Sequence, residues 1–389
     1  MNRLHLAMGP ADDPPIIVRD FMMKQFLALF LLLFAFSAAS GQTPAPESNP
    51  TPSAPAKELE IRAIWLNRML MKKGPEEIKA FLDDAAKRGI THIFPNFWFH
   101  GCVIYPGSNL APQHPDFGGW DPMKVVVEES HARGLKVWPW SEYGFFTHYN
   151  NTLNDEDCGW LLTHHPDWKM QDDQGKTGLL NEGLKVMHFS MNPANPDACD
   201  FLIKLHLDIA KRYNIDGINT DRIRYMNEKW GYDPFSKRVF AVAKEVNPTL
   251  TFDQWRKDNI NAFERKFATA WRAANPDKPI SAAVNPPSMY QAKFQYFDEW
   301  MKEGTLDYAV PMIYGNTNLM KSELKKVVEM VPPGGRVIAG IDAAAGEEEF
   351  ARQVEAAKEL GVVGVCVWND DAWQKMKYSF VPAEQQETK

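Results

Sequence analysis

The stretch "IDGINTDRIRY", residues 215–225, runs from an apolar, β-branched beginning straight into Asp221, Arg222 and Arg224. Charged residues are rarely fully buried unless they are paired or put to use. The run therefore reads as a strand whose far end opens onto a site. Side chains alternate along a strand, so Gly217, Asn219 and Asp221 share one face.

Seven comparable runs flank it: IRAIWL (61–66), THIFPNF (91–97), LKVWPW (135–140), PISAAV (279–284), DYAVPMIY (307–314), RVIAGI (336–341) and VGVCVW (363–368). Helical periodicity fills the intervals at 75–88, 122–133, 195–213, 252–274, 289–303, 319–330 and 346–360, with a last short pattern at 371–377. The helix at 195–213 shows its start: Asn195 caps, Pro196 suits the first turn and Asp197 complements the dipole. Phe201, Leu202, Leu205 and Ile209 then recur at helical spacing. Eight strands alternating with helices predict a parallel sheet, and eight units fit a single-domain (β/α)8 TIM barrel over 58–378 with a tail at 379–389. A doubly wound open sheet would need a Gly-rich turn after its first strand, and "WLNRMLMKKGP" has none. The connections 98–121 and 144–192 are too long for plain turns and are expected to build a rim.

Ahead of the barrel, "MMKQFLALFLLLFAFSAASGQ" (22–42) carries a lysine, an apolar run and small residues, the pattern of a secretory signal peptide. Its natural start is Met22 or Met23, so residues 1–41 read as an upstream extension plus signal peptide. Residues 42–57 read as a Pro/Ser/Ala linker. The expectation is an exported protein, periplasmic or extracellular, with no stable membrane span after cleavage. The net charge of −7 gives no basic footprint for nucleic acid. Cys102, Cys158, Cys199 and Cys366 show no CxxC spacing and hence no zinc cluster. Export permits a disulfide, for which Cys102 and Cys158 are candidates.

In a (β/α)8 barrel the chemistry sits at the carboxyl ends of the strands. Those ends carry Asn67 and Arg68; Asn96, Trp98 and His100; Trp140, Glu142 and Tyr143; Asp221, Arg222 and Arg224; Asn285; Tyr314 and Asn316; Asp342; and Trp368, Asn369 and Asp370. No HxH pair, strand-end lysine or GxSxG elbow is present, which argues against a metal-dependent amidohydrolase, a Schiff-base aldolase and an α/β-hydrolase. Neither metal nor cofactor is expected. Carboxylates among Trp and Tyr suit sugar chemistry: aromatic faces stack on pyranose rings and a carboxyl pair supplies acid with base or nucleophile.

Asp221 is the expected nucleophile or base, held ionised by Arg222 or Arg224. Glu142, near Trp140, Tyr143 and Phe145, is the expected proton donor. The plainer readings are a structural ion pair for Asp221 and a rim salt bridge for Glu142. Arg68, Asn96, Arg222, Arg224, Asn285, Tyr314 and Asp342 are expected to bind substrate, with Trp98, Trp140 and Trp368 placed for stacking. Asp342 and Asp370 each have a cap as the alternative. Asp216 and Asp307 open strands after helices and belong to the opposite, stability face. Trp65, Trp138, Trp271 and Trp300 read as packing.

The segments "EIRAIWLNR" (60–68), "GLKVWPWSEYGF" (134–145), "MNPANPDACDFL" (191–202), "YNIDGINTDRIRY" (213–225) and "LDYAVPMIYG" (306–315), in this order and spacing, resemble the glycosyl hydrolase-like family 10 proteins of bacteria. The resemblance spans roughly residues 58–375. It implies an exported TIM barrel that cleaves O-glycosidic bonds of a polysaccharide or cell-wall glycan. It also implies Asp221 at the active-site position of the strand-four motif and Glu142 at the acidic position of strand three. Met226 stands where a proline is common, and Arg222 where some relatives carry a second aspartate. A non-catalytic carbohydrate-binding protein on the same barrel is the alternative.

Overall fold

In the computed structural model, residues 58–382 are described; the signal-peptide and linker expectations for 1–57 lie outside them. Eight staves follow in chain order: β1 (Ile61–Leu66), β2 (His92–Pro95), β3 (Lys136–Val137 and Trp140–Ser141), β4 (Ile218–Thr220), β5 (Ile280–Val284), β6 (Tyr308–Pro311), β7 (Arg336–Asp342) and β8 (Gly364–Trp368). Every pairing between them is parallel.

The third stave shows why the sheet closes. It breaks at Trp138-Pro139, because proline has no N–H for the ladder. Its first half pairs with β2, as His92 with Lys136, and its second half with β4, as Asn219 with Trp140. The two ends of the sheet are thus one chain segment, and the cylinder is complete.

Helices cover the cylinder at Pro75–Lys87, Pro122–Ala132, Pro196–Arg212, Phe252–Ala274, Thr317–Met330 and Glu347–Glu359. Asn195 Oδ1 accepts from the N–H groups of Asp197 and Ala198, as its position predicts. Two intervals differ from the sequence reading. A helix at Pro234–Val246 was not anticipated; Asp233 caps it through the Ser236 N–H, Pro234 opens its first turn, and Phe240 packs on Phe252 and Trp255. The pattern at 289–303 splits into Pro287–Tyr290 and Phe297–Lys302, because Phe294 takes φ +54° between them.

The long connections carry their own structure. A two-strand ribbon pairs Trp98–Phe99 with Cys102–Val103, and an antiparallel sheet joins Phe146–Asn150, Val186–Ser190 and Leu179–Asn181. Both follow carboxyl ends of staves, so they stand over the mouth of the barrel.

The core has two layers. One lies between staves and helices and includes Phe81, Phe263 and Trp271. The other fills the cylinder with Trp65, Phe94, Trp138, Trp140 and Cys366 among others. Gly217 is needed beneath that inner layer: a Cβ there would meet the Trp138 indole at 2.7 Å. Trp65, Trp138, Trp271 and Trp300 are all core, as their places in the chain predict. All four cysteines are buried and free. No helix of the described residues is long and apolar enough to cross a membrane.

Candidate active site

The face shared by Gly217, Asn219 and Asp221 points into the cylinder. Asn219 lies lowest in the mouth: its Oδ1 accepts from Trp65 Nε1 at 3.0 Å and its Nδ2 donates to Ser281 Oγ at 2.8 Å. Asp221 stands two residues above it, just past the end of β4, and is 4 % exposed. Three donors converge on its carboxylate. Trp140 Nε1 lies 3.2 Å from Oδ2; Arg224 Nη1 lies 3.2 Å and the Arg222 N–H 2.5 Å from Oδ1.

Glu142 follows β3 on the neighbouring stave and is 9 % exposed. Its Oε2 accepts from Asn96 Nδ2, at the end of β2, and its Oε1 lies 4.0 Å from Arg222 Nη2. Gly144 brings the two segments together. At φ +33° its backbone presses against β4 so closely that a Cβ would stand 1.9 Å from the Asp221 carbonyl oxygen. Arg222 in turn takes φ +51°, which swings its guanidinium over Tyr143 and Phe146.

Burial pushes both carboxyls up. For Glu142 the charges of Arg222 and Arg68 oppose the shift, while that of Asp221 adds to it. For Asp221 the opposition comes from Arg224 and Arg222, then the Arg222 N–H and the Trp140 indole. The sequence expectation that an arginine would hold Asp221 below the usual carboxylate range is corrected here, because desolvation outweighs the ion pair. The donor counts still separate the two groups. Asp221, with three donors, is the better-stabilised anion, and Glu142, with one, is the readier proton carrier.

Other expected residues fall into two groups. At the mouth, Tyr314 stacks on Trp368 at 6.1 Å, with Tyr314 37 % exposed, and the Trp368 edge meets Trp140 at 5.7 Å. Arg68 lies over Phe99 at 3.4 Å, close enough for its charge to act on Glu142. Away from the mouth, Trp98 is fully buried against Phe201 and offers no stacking face, because the ribbon 98–103 folds it inward. Trp140 is likewise buried; its contribution is the hydrogen bond to Asp221 and not a platform. Asn285 spends its Nδ2 and its N–H on Gln295 Oε1. Asp342 caps the turn at 343–345 through Ala344 N at 2.8 Å. Asp370, pushed up to about 6 by burial, is tied to the N–H groups of Asn67 and Asp371.

The sequence reading missed a ring cluster on the excursions. His100 lies 4.8 Å from His148, 4.3 Å from Tyr149 and 5.6 Å from Tyr143, and Tyr149 lies 5.8 Å from His188. Burial lowers His100 to about 3 and His188 to about 4, so these imidazoles are neutral. The alternation in "FTHYN" (146–150) and "VMHFS" (186–190) was the available signal. Among the described residues, no group of three or more His, Cys, Asp or Glu is arranged to hold a metal ion.

The family model described as glycosyl hydrolase-like 10 matches residues 60–342. Glycosyl hydrolase YngK of Bacillus subtilis is 25 % identical over 290 residues, covering 66 % of this chain and 54 % of the relative. Glycosyl hydrolase DigH of Escherichia coli K12 is 22 % identical over 269 residues, covering 60 % and 56 %. The chain thus spans about half the length of these curated relatives. In fold it is similar to the PgaB glycoside hydrolase domain of Bordetella bronchiseptica, with TM-score 0.61, 14 % identity and coverage of 82 % of this chain and 96 % of that one. It is also similar to the catalytic domain of β-amylase from Paenibacillus polymyxa, with TM-score 0.58, 14 % identity and coverage of 80 % and 93 %.

Proposed function

This chain belongs to the glycosyl hydrolase-like 10 family, and from that premise we propose that it hydrolyses O-glycosidic bonds of a polysaccharide or cell-wall glycan outside the cytoplasm. One observation carries the reading: Asp221 and Glu142 emerge from adjacent staves at the carboxyl end of the barrel, both buried and with unequal donor sets.

In this reading Glu142 gives its proton to the glycosidic oxygen as the bond to C1 breaks. Asp221 serves as nucleophile or base on the opposite side of the reaction, and a water supplies the hydroxyl of the new reducing end. Arg224 and the Trp140 indole keep Asp221 aligned and favour its anion. Burial favours the protonated form of Glu142, which suits a group that must give a proton to the leaving oxygen. Tyr314 and Trp368 supply an aromatic face for a sugar ring. Arg68, Asn96 and Arg222 line the Glu142 side. The segment 22–42 supports export.

The test is to incubate the mature protein with peptidoglycan glycan strands and with plant and algal oligosaccharides. New reducing ends that disappear in Asp221→Asn are expected. Binding without release in the wild type overturns the hydrolase and favours the carbohydrate-binding protein.

A further inference from the structure

Arginines in this molecule are almost all committed. Of those in the described residues, all but Arg68, Arg222 and the surface residue Arg238 donate a side-chain hydrogen bond to a protein oxygen. Arg238 is exposed and has water. Arg68 and Arg222 are different, because both are partly buried at the mouth of the barrel.

Arg222 has a side chain only 20 % exposed. Its guanidinium lies over the Tyr143 ring at 4.8 Å and the Phe146 ring at 5.1 Å, and its nearest carboxylate oxygen is Glu142 Oε1 at 4.0 Å. Arg68 lies over Phe99 at 3.4 Å, and Phe99 meets Tyr143 at 5.1 Å. An aromatic wall therefore runs from one cation to the other, and both charges act on Glu142 and on Tyr143.

Both guanidinium groups lie against ring faces and make no side-chain hydrogen bond to a protein oxygen, so their N–H donors stay open toward the mouth. The surrounding acids do not engage those donors. Asp221 is paired with Arg224, Asp370 is turned onto backbone N–H groups, and Asp342 caps its own turn. Burial favours the neutral form of Glu142, and the imidazoles of His100 and His188 beside the arginines are neutral as well. What remains is a positive wall with open, fork-shaped donors, which suits a planar oxyanion.

We propose that Arg68 and Arg222 form an anion-accepting subsite flanking Glu142, so that the substrate is a glycan whose sugars carry a carboxylate. This rests on the reading of the mouth as a glycan cleft. It adds a chemical class to that reading and assigns to the two arginines selection between acidic and neutral sugars. They are specificity residues; the proton chemistry stays with Glu142 and Asp221.

The experiment measures binding, not turnover, on the full mature chain carrying Glu142→Gln, which leaves the polymer uncut and the local charge neutral. Polygalacturonate, alginate and hyaluronate are each titrated beside their methyl esters, which lack the charge, with dextran and dextran sulfate in parallel. At least one polyuronate is expected to bind about 10-fold or more tightly than its ester, in line with a charge-assisted hydrogen bond. Arg222→Gln and Arg68→Gln should each remove most of that preference, weakening acid binding several-fold more than ester binding. Arg222→Lys should keep part of it, and Arg238→Gln all of it.

Equal binding of acid and ester for all three polymers overturns the proposal. So does a preference that survives the Arg68→Gln, Arg222→Gln double variant, or a loss of ester binding equal to the loss of acid binding, which would mark a structural role. Tighter binding of dextran sulfate than of every polyuronate overturns the assignment to carboxylate. Failure of the hydrolase reading shows separately, as absence of new reducing ends from the unmodified protein.

Discussion

Asp216 and Asp221 bracket one strand five residues apart and live in opposite surroundings. At the amino end, Asp216 accepts from Lys136 Nζ at 2.9 Å, from the Val137 N–H at 2.9 Å and pairs with His131 Nε2 at 2.8 Å. Burial raises it, but these partners win and its carboxyl lies below the usual range. Asp307 makes a similar pair with Arg272 on the same face. At the carboxyl end, Asp221 also has cationic company, yet burial wins and its carboxyl lies above the usual range. The difference is water. The Asp216 side chain is 20 % exposed and that of Asp221 only 5 %. One barrel strand thus carries an acid held below its usual range at one end and an acid raised above it at the other, without any change of residue type.

The largest expected effect lies at the upper end. Asp221→Asn and Glu142→Gln should each lower the rate of reducing-end release by roughly 10²- to 10⁴-fold while thermal unfolding stays near that of the parent protein. The Glu142→Gln loss should shrink on an aryl glycoside whose leaving group needs no proton. Equal losses on both substrates would remove the proton-donor role.

Gly144→Ala comes next. The new Cβ has no room beside the Asp221 carbonyl, so the β3–β4 junction must move. Destabilisation of roughly 2–4 kcal/mol is expected by chemical denaturation, with activity falling alongside. An alanine variant with unchanged stability would show that the junction is looser than its geometry.

A third acid belongs to neither end. Glu264, on the helix Phe252–Ala274, is fully buried, both carboxylate oxygens lack a partner, and burial pushes it up to about 8. Its folded value is raised above that of the unfolded chain. Its contribution is therefore fully present below about pH 4.3 and is lost as pH rises toward the folded value. Glu264→Met should flatten that slope and gain on the order of 3 kcal/mol near pH 7, read from urea unfolding across pH. An unchanged slope would contradict an unpaired carboxyl.

The smallest effect is at the lower end. Asp216→Asn should cost about 1 kcal/mol near neutral pH and leave catalytic rate untouched. Because its folded value is lowered, the cost should fade as pH drops from about 4 through that value. A loss of activity larger than the loss of stability would erase the contrast between the two ends.

Much of this was legible along the chain. Eight short runs and their intervening periodicities predict a barrel, and alternation within 215–225 puts Asn219 and Asp221 on one face. Asp216 and Asp307 could be assigned to the stability end because each opens a strand after a helix. The helix Pro234–Val246 was missed although Asp233 and Pro234 mark its start, whereas the break at Phe294 was hidden because a positive φ leaves no mark in composition. Trp98 looked available for stacking until the ribbon 98–103 turned it onto Phe201.

Sequence alone determined the order of the eight strands, most of the helices and the two acids that end neighbouring strands, because periodicity and capping are local properties of adjacent residues. Tertiary structure alone decided that Gly144 seats one acid's loop against the other and that three donors favour Asp221 over Glu142. It also decided that Arg68 and Arg222 face the mouth without acceptors. Those outcomes depend on how distant segments desolvate one another once the cylinder closes, and no stretch of sequence carries that free energy by itself.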